Sequence, residues 1–186
     1  QENCFNKSIS LKNIILPNSL LSIEDFALYE CHRLENLIIP SNVKTLGESF
    51  IEDCFNLKKV VLPSLLSSIG QYAFEDDTSL EVIDFNNAEV ILKDGLFKGC
   101  MSLVDVNKLN LSLKTRVIPK QLFLECINLT SADLSVFTEL ESIGNYAFAR
   151  CGSLEKIILP SSSRIGLSFI SARYLFPSSS IRVFGT

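Results

Sequence analysis

The chain has one histidine, His32, among 186 residues. That scarcity removes most metal centres and most histidine-activated nucleophiles before any motif is sought. It also lacks a glycine-rich phosphate loop, a G-x-S-x-G elbow, an H-E-x-x-H helix and any Cys-x-x-Cys pair. No apolar run reaches the roughly 18 residues that cross a bilayer. Lysine and arginine stand singly along a chain of net charge −4, so the basic stripe of a nucleic-acid binder is missing. The opening Gln1-Glu2-Asn3 shows no basic-then-apolar leader, which decides nothing about secretion. With 47% hydrophobic and 20% charged residues, the chain is nonetheless rich enough to fill a core.

What it has is a period. Lead leucines fall at Leu11, Leu34, Leu57, Leu80, Leu103, Leu129 and Leu154, in steps of 23, 23, 23, 23, 26 and 25 residues. Such a step marks a solenoid, in which each unit buries its apolar face only against its neighbours. The clearest copies are Leu34-Glu-Asn-Leu37-Ile-Ile39-Pro40, Leu57-Lys-Lys-Val60-Val-Leu62-Pro63 and Leu154-Glu-Lys-Ile157-Ile-Leu159-Pro160. Within a unit, Val60 to Leu62 reads as a short strand with alternating inward residues. Pro63 ends it, having no N–H for a neighbouring ladder. Leu66 and Ile69 turn the chain back over the core, and Gly70 is expected to relax the backbone there. Ala73-Phe74 follows, inside a segment (71–75) expected to form one helical or 3-10 turn. An aliphatic residue precedes this pair in each copy: Ile23, Leu46, Ile69, Leu92, Ile118 and Ile143. Ile165, Ile170 and Arg173 mark a last, altered copy. The longer steps come from extra residues in Asn110–Val117 and Ser135–Ser142.

The unit L-x-x-I-x-L-P-x-x-L-x-x-I-G-x-x-A-F-x-x-C, carried best by Leu57 to Asp77 and Ser142 to Pro160, resembles the BspA-like (Treponema-type) leucine-rich repeats. The resemblance covers about residues 8–175. Asn86, Leu109 and Ser135 replace the strand-ending proline, and Asp77 replaces the cysteine. The fold expected is an α/β leucine-rich-repeat solenoid, horseshoe-like. Its short parallel strands would form the concave face, with turns and short helical or 3-10 segments on the convex face. Residues 1–186 would make a single domain of about seven to eight repeats, or a segment of a longer array. The tail from Phe176 to Phe184 offers one further strand. The resemblance implies a surface or secreted protein with a role in adhesion and protein recognition.

Cys31, Cys54, Cys100, Cys126 and Cys151 share one repeat position. Position rather than pairing explains their spacing, so they are expected as a buried column of thiols; Cys4 lies outside the register. His32 follows Cys31, but neighbours on an extended segment point apart, so the imidazole is expected in solvent. Asp76-Asp77 reads as a solvated turn, with a cation site as the lesser alternative. Three sequons, at Asn6, Asn110 and Asn128, are compatible with secretion in a eukaryote.

Binding residues are expected between the inward strand positions. One column runs Asn13, Asn36, Lys59, Val82, Asp105, Ser131, Lys156. Its neighbour runs Ile15, Ile38, Val61, Asp84, Asn107, Asp133, Ile158. The candidate partner-binding residues are Ile15, Asn36, Ile38, Lys59, Val61, Val82, Asp84, Asp105, Asn107, Asp133, Lys156 and Ile158. Exposed aliphatics beside polar residues suit a protein partner, and Asp84, Asp105 and Asp133 suit a basic segment or a cation. No catalytic, cofactor or metal residue is assigned. The expected function is a non-enzymatic recognition module of adhesin type, binding a host or matrix protein on its concave sheet. The alternative is an intracellular scaffold using the same surface, which keeps a cytoplasmic location open. The ends carry no polar cap, which leaves end-to-end self-association open as well.

Overall fold

The computed structural model describes residues 3–86, 88–161 and 182–185; Ile165, Ile170 and Arg173 therefore lie outside the described residues. The chain winds as a β-solenoid of about six turns. In chain order its strands are β1 Ser22–Ile23, β2 Asn36–Ile38, β3 Thr45–Leu46, β4 Lys59–Val61, β5 Ser68–Ile69 and β6 Val82–Asp84. They continue with β7 Val117–Ile118, β8 Ser131–Asp133, β9 Ser142–Ile143, β10 Lys156–Leu159 and β11 Arg182–Gly185. All pairings are parallel.

Two rows of strands run along the coil. The first row holds β2-β4-β6 and β8-β10-β11, so the tail does supply a further strand, with Lys156 opposite Arg182. The second row holds β1-β3-β5 and β7-β9. It contains the aliphatic position that sequence reading placed in a bend. Ile23, Leu46, Ile69, Ile118 and Ile143 are strand residues there.

Between the second row and the next copy of the first lies a third row, made of turns. Phe26, Leu28 and Glu30 donate their N–H groups to the carbonyls of Glu48, Phe50 and Glu52, one turn on. The same triplet recurs at every step from Asn3→Asp25 to Glu125→Ala149. Two residues four apart take positive φ in each turn, among them Phe26 and Glu30, Tyr72 and Asp76, and Gly95 and Gly99. The left-handed conformation at both ends of the segment lets alternate amides aim along the stack. These segments are neither α-helical nor 3-10. The α/β expectation is therefore corrected. Among the described residues the single helix is a 3-10 turn, Val106–Leu109, and it sits in the first strand row, not on the return side.

The core fills the tube between the rows. Leu34, Leu57, Leu80 and Leu103 are buried in line, as are Ile39, Leu62, Phe85 and Leu109. Phe74, Phe97, Phe123 and Phe148 form a column of stacked rings with centroids 5.3–5.8 Å apart, and Phe50 meets Phe74 edge-on at 5.5 Å. Offset stacking at this spacing is favourable beyond area burial alone.

Gly70 has a different role from the one expected. Its φ is not left-handed; a Cβ there would lie 2.3 Å from the Glu48 nitrogen of the preceding turn. Gly47 and Gly144 stand equally close to Asp25 and Lys120, with 2.4 and 2.5 Å to the backbone nitrogen. These glycines permit close contact between turns rather than a bend. Gly70→Ala should therefore lower stability by about 1–3 kcal/mol through overpacking. Gly152→Ala, whose Cβ would meet nothing nearer than 4.0 Å, should stay within about 0.5 kcal/mol of wild type. Urea denaturation midpoints compare the two.

Candidate functional site

The first strand row builds an exposed face in two stretches. Asn36, Lys59 and Val82 stand in register, as do Ile38, Val61 and Asp84. Farther along, Ser131 meets Lys156 and Asp133 meets Ile158. Ile38 is 71% exposed and Val82 46%, while Val61 and Asp84 are half-buried. Alternation explains this. Leu37, Val60 and Ile83 point into the core, so their neighbours must point out. Ile15 is 96% exposed, but residues 11–17 form no strand, so it stands beside the paired sheet rather than in it.

The row is interrupted. Asp105 caps the 3-10 helix, its carboxylate accepting the Asn107 N–H at 2.9 Å. Asp105 also bridges Ser131. Asn107 is therefore a helical residue, not a member of the second column as its spacing suggested. The local signal was Val106 and Leu109, three apart and both buried, which fits a helical turn better than alternation. Beside this helix opens a cleft of about 470 Å³. Val82, Val104, Asp105, Lys108 and Leu109 contribute to its walls. Sequence reading did not find it.

The three aspartates have structural duties. Asp84 accepts the Asn86 N–H at 2.8 Å. Asp133 accepts the Ser135 N–H at 3.0 Å and its hydroxyl at 2.6 Å. Asn86 and Ser135 occupy the position that proline holds at residues 40, 63 and 160. Replacing proline restores an N–H, and the aspartate two residues earlier captures it, ending the strand by an Asx turn. Their charge is thus spent partly on their own backbone. Among the described residues no group of three metal-binding side chains converges.

The thiols form the expected column. Cys31, Cys54, Cys100, Cys126 and Cys151 are buried and form no disulfide. Each donates to a carbonyl of the preceding turn, those of Phe5, Leu28, Phe74, Phe97 and Phe123, at 3.0–3.3 Å. Burial pushes the Cys100 and Cys126 thiols well up and Cys151 to about 12, so these remain protonated and unreactive at neutral pH. His32 is half-buried and stacks on Phe55, with centroids 4.8 Å apart. The Cys31 thiol points to the Phe5 carbonyl instead. The two side chains form no dyad. The Asn128 amide nitrogen, which glycosylation would need, donates to the Met101 carbonyl at 2.9 Å.

Asp77 is not a solvated turn, and that expectation is overturned: the residue is 0% exposed. It takes the cysteine's place in the column, so its side chain is carried inside. Oδ1 accepts the Cys54 N–H at 2.8 Å, and Oδ2 has no partner. Desolvation, with Asp53, Glu52 and Asp76 nearby, raises its pKa well above 3.8. Glu52, half-buried among the same carboxylates, is pushed up to about 7, chiefly by desolvation. Sequence reading missed this because the surrounding turns are polar; the signal was the column position itself.

A tube of parallel strand rows, with leucines, phenylalanines and thiols stacked one per turn, defines a leucine-rich-repeat β-solenoid. The chain belongs to the family described as the BspA type leucine rich repeat region, whose model matches six copies over residues 1–115 and 93–176. Among solved structures, a leucine-rich repeat protein from Bacteroides ovatus matches with 23% identity and a TM-score of 0.64, over 98% of this chain and 57% of its own length. The leucine rich repeat protein of T. pallidum matches with 23% identity and a TM-score of 0.67, over 89% of this chain and 78% of its own. The present chain thus spans little more than half of the B. ovatus protein. At these identities both matches show the fold. No curated protein matches the chain.

Asp77 makes stability depend on pH. Its folded pKa lies above its unfolded value, so its stabilising contribution is complete below about pH 4 and is lost as pH rises toward the folded pKa. One such group gives a fall of about 1.4 kcal/mol per pH unit across that window. Glu52 adds to the slope only up to about pH 7. Asp77→Asn keeps the shape and cannot ionise. Urea unfolding followed upward from about pH 4 should show stability falling less steeply with pH than in wild type; an unchanged slope would mean that Asp77 is ionised in the folded chain.

Proposed function

We propose that this chain is a non-enzymatic protein-recognition module that binds a host or matrix protein through its first strand row. Leucine-rich repeat proteins generally bind proteins. The observation that carries the assignment is the row itself. Ile38 and Val82 are exposed, and Val61 half-buried, on a rigid in-register sheet, beside Asn36 and Lys59. An apolar patch rimmed by polar groups and fixed by main-chain ladders suits a hot spot that needs no ordering on binding. The contact surface would take in Ile15 at one side. It would extend across Val82 and Asp84 to the cleft at Asp105, with Asn107, Asp133, Lys156 and Ile158 beyond. The partner is a protein, with a basic segment placed to meet Asp84, Asp105 and Asp133. Residues 1–186 act as one recognition domain, exposed at a cell surface or secreted. None of the helices in the described residues is long and apolar enough to cross a membrane.

An intracellular scaffold is the second reading. It is favoured by the five buried thiols, each placed on a carbonyl of the preceding turn, since a chain that does not rely on disulfides suits a reducing compartment. In either setting end-to-end association would use the partly buried Leu11, Ile14, Leu16 and Leu20 of the first turn.

The test uses immobilised protein, candidate host-cell and matrix extracts, and the double variant Ile38→Asp, Val61→Asp as control. A partner captured by wild type should bind the variant at least tenfold more weakly, while the variant's thermal unfolding stays within a few degrees. Equal binding of both would remove the first strand row as the site. A partner recovered only from cytosolic extract would favour the scaffold reading.

A further inference from the structure

The second strand row has a gap. At regular steps the turn-to-turn bonds are short. Lys44 N–H reaches Leu21 O at 2.9 Å and Gly47 reaches Ile23 O at 2.8 Å. Ser67 reaches Lys44 O at 2.9 Å, and Gly70 reaches Leu46 O at 2.9 Å. Beyond the gap, Glu141 reaches Arg116 O and Gly144 reaches Ile118 O, both at 2.7 Å. Yet no backbone hydrogen bond joins residues 89–93 to the turn on either side.

Two residues account for this. The position held by Gly47, Gly70 and Gly144 is Lys93 in the fourth turn and Pro119 in the fifth. A Cβ at the glycines would overlap the preceding backbone at 2.3–2.5 Å, so Lys93 cannot approach β5 as they approach their neighbours. Pro119 has no N–H to donate to the fourth turn. The result is an open row of peptide groups, flanked by strands that are paired on their far sides.

Beside this row lies a groove of about 340 Å³ between the fourth and fifth turns, lined by Val90, Ile91 and Leu92 on one wall and Thr115, Arg116 and Val117 on the other. Val90, Leu92 and Thr115 are buried beneath it; Ile91 is 75% and Val117 46% exposed. The charges at the rim are matched, Lys114 with Glu89 and Arg116 with Glu141. We propose that this groove takes an extended, uncharged peptide segment, whose backbone pairs with residues 89–93 and whose alternate apolar side chains rest on Ile91 and Val117. An unpaired row of N–H and C=O groups is complementary to another strand, and strand addition is a common mode of peptide recognition. The compensated rim gives neither an acidic nor a basic segment an advantage. The site is separate from the first strand row and does not rest on the function proposed for it.

The probe is a capped hexapeptide alternating threonine and valine, added to the full ¹⁵N-labelled chain. In the free protein the amides of Val90 to Lys93 should exchange with solvent far faster than those of Gly70 and Gly144. Saturating peptide should slow the former at least tenfold. The same peptide N-methylated at alternate residues should bind at least tenfold more weakly. The double variant Lys93→Gly, Pro119→Gly should complete the ladder, protect these amides without peptide and abolish binding. The variant Ile38→Asp, Val61→Asp should bind the peptide as wild type does. Slow exchange at residues 90–93 in the free protein, absence of peptide protection, or binding indifferent to N-methylation would each overturn the proposal.

Discussion

The stack depends on the turn ladder, in which three amides of one turn donate to three carbonyls of the next. That ladder demands left-handed backbone at two positions per turn, and the chain mostly meets the demand without glycine. Phe26, Tyr72, Gln121 and Arg150 all take positive φ, a conformation that costs roughly 1 kcal/mol or more per residue. It persists because the neighbouring turns leave the backbone no better place for its hydrogen bonds. Once the turns are locked at this spacing, the other columns follow. Phenylalanines stack at 5.3–5.8 Å, thiols reach the carbonyl of the turn before, and glycine is required where second-row strands press together.

The middle of the array shows how such a stack absorbs departures. Loss of proline at residues 86 and 135 is answered by aspartate two positions earlier. Loss of cysteine at 77 is answered by a carboxyl group that keeps its place in the column and accepts the Cys54 amide. Loss of glycine at 93 and 119 is not answered, and the second row opens there. The turn ladder nevertheless runs unbroken past that point, through Gly95, Phe97 and Gly99 to Lys120, Leu122 and Leu124. Each row can therefore fail without the coil failing, because the other rows hold the pitch. Local failure creates relief on an otherwise uniform surface, and relief is where a repeat protein distinguishes its partners.

Much of this was legible from the spacing of leucines and cysteines. The inward residues, the thiol column and the register of Asn36, Lys59 and Val82 follow from a 23-residue step and strand alternation. Other features were not legible, for identifiable reasons. The second strand row has only two residues per turn, Thr45–Leu46 for example, too few for alternation to appear. The turn ladder depends on φ, and residues as different as Tyr72 and Gln121 share the same conformation. Gly70 looked like a bend because glycine serves flexibility and close approach alike. Asp77 looked exposed because its type outweighed its position. The cleft beside Asp105 arises where one strand becomes a 3-10 turn, a change the altered spacing of Val106 and Leu109 hinted at without fixing.

The turn ladder also has an electrical direction. Every one of its bonds points the same way, with amide hydrogens aimed toward higher-numbered turns and carbonyl oxygens toward lower-numbered ones. Three parallel bond dipoles are added at each step, so the row accumulates a macrodipole as a helix does, though its units come from separate turns rather than consecutive residues. The low-numbered end is the oxygen-rich, negative pole. A further turn joined at either pole must keep the same sense, since a reversed one would set oxygen against oxygen at the low-numbered end and N–H against N–H at the other. The coil is in this respect a polar rod, and growth or stacking along its axis is electrostatically one-way.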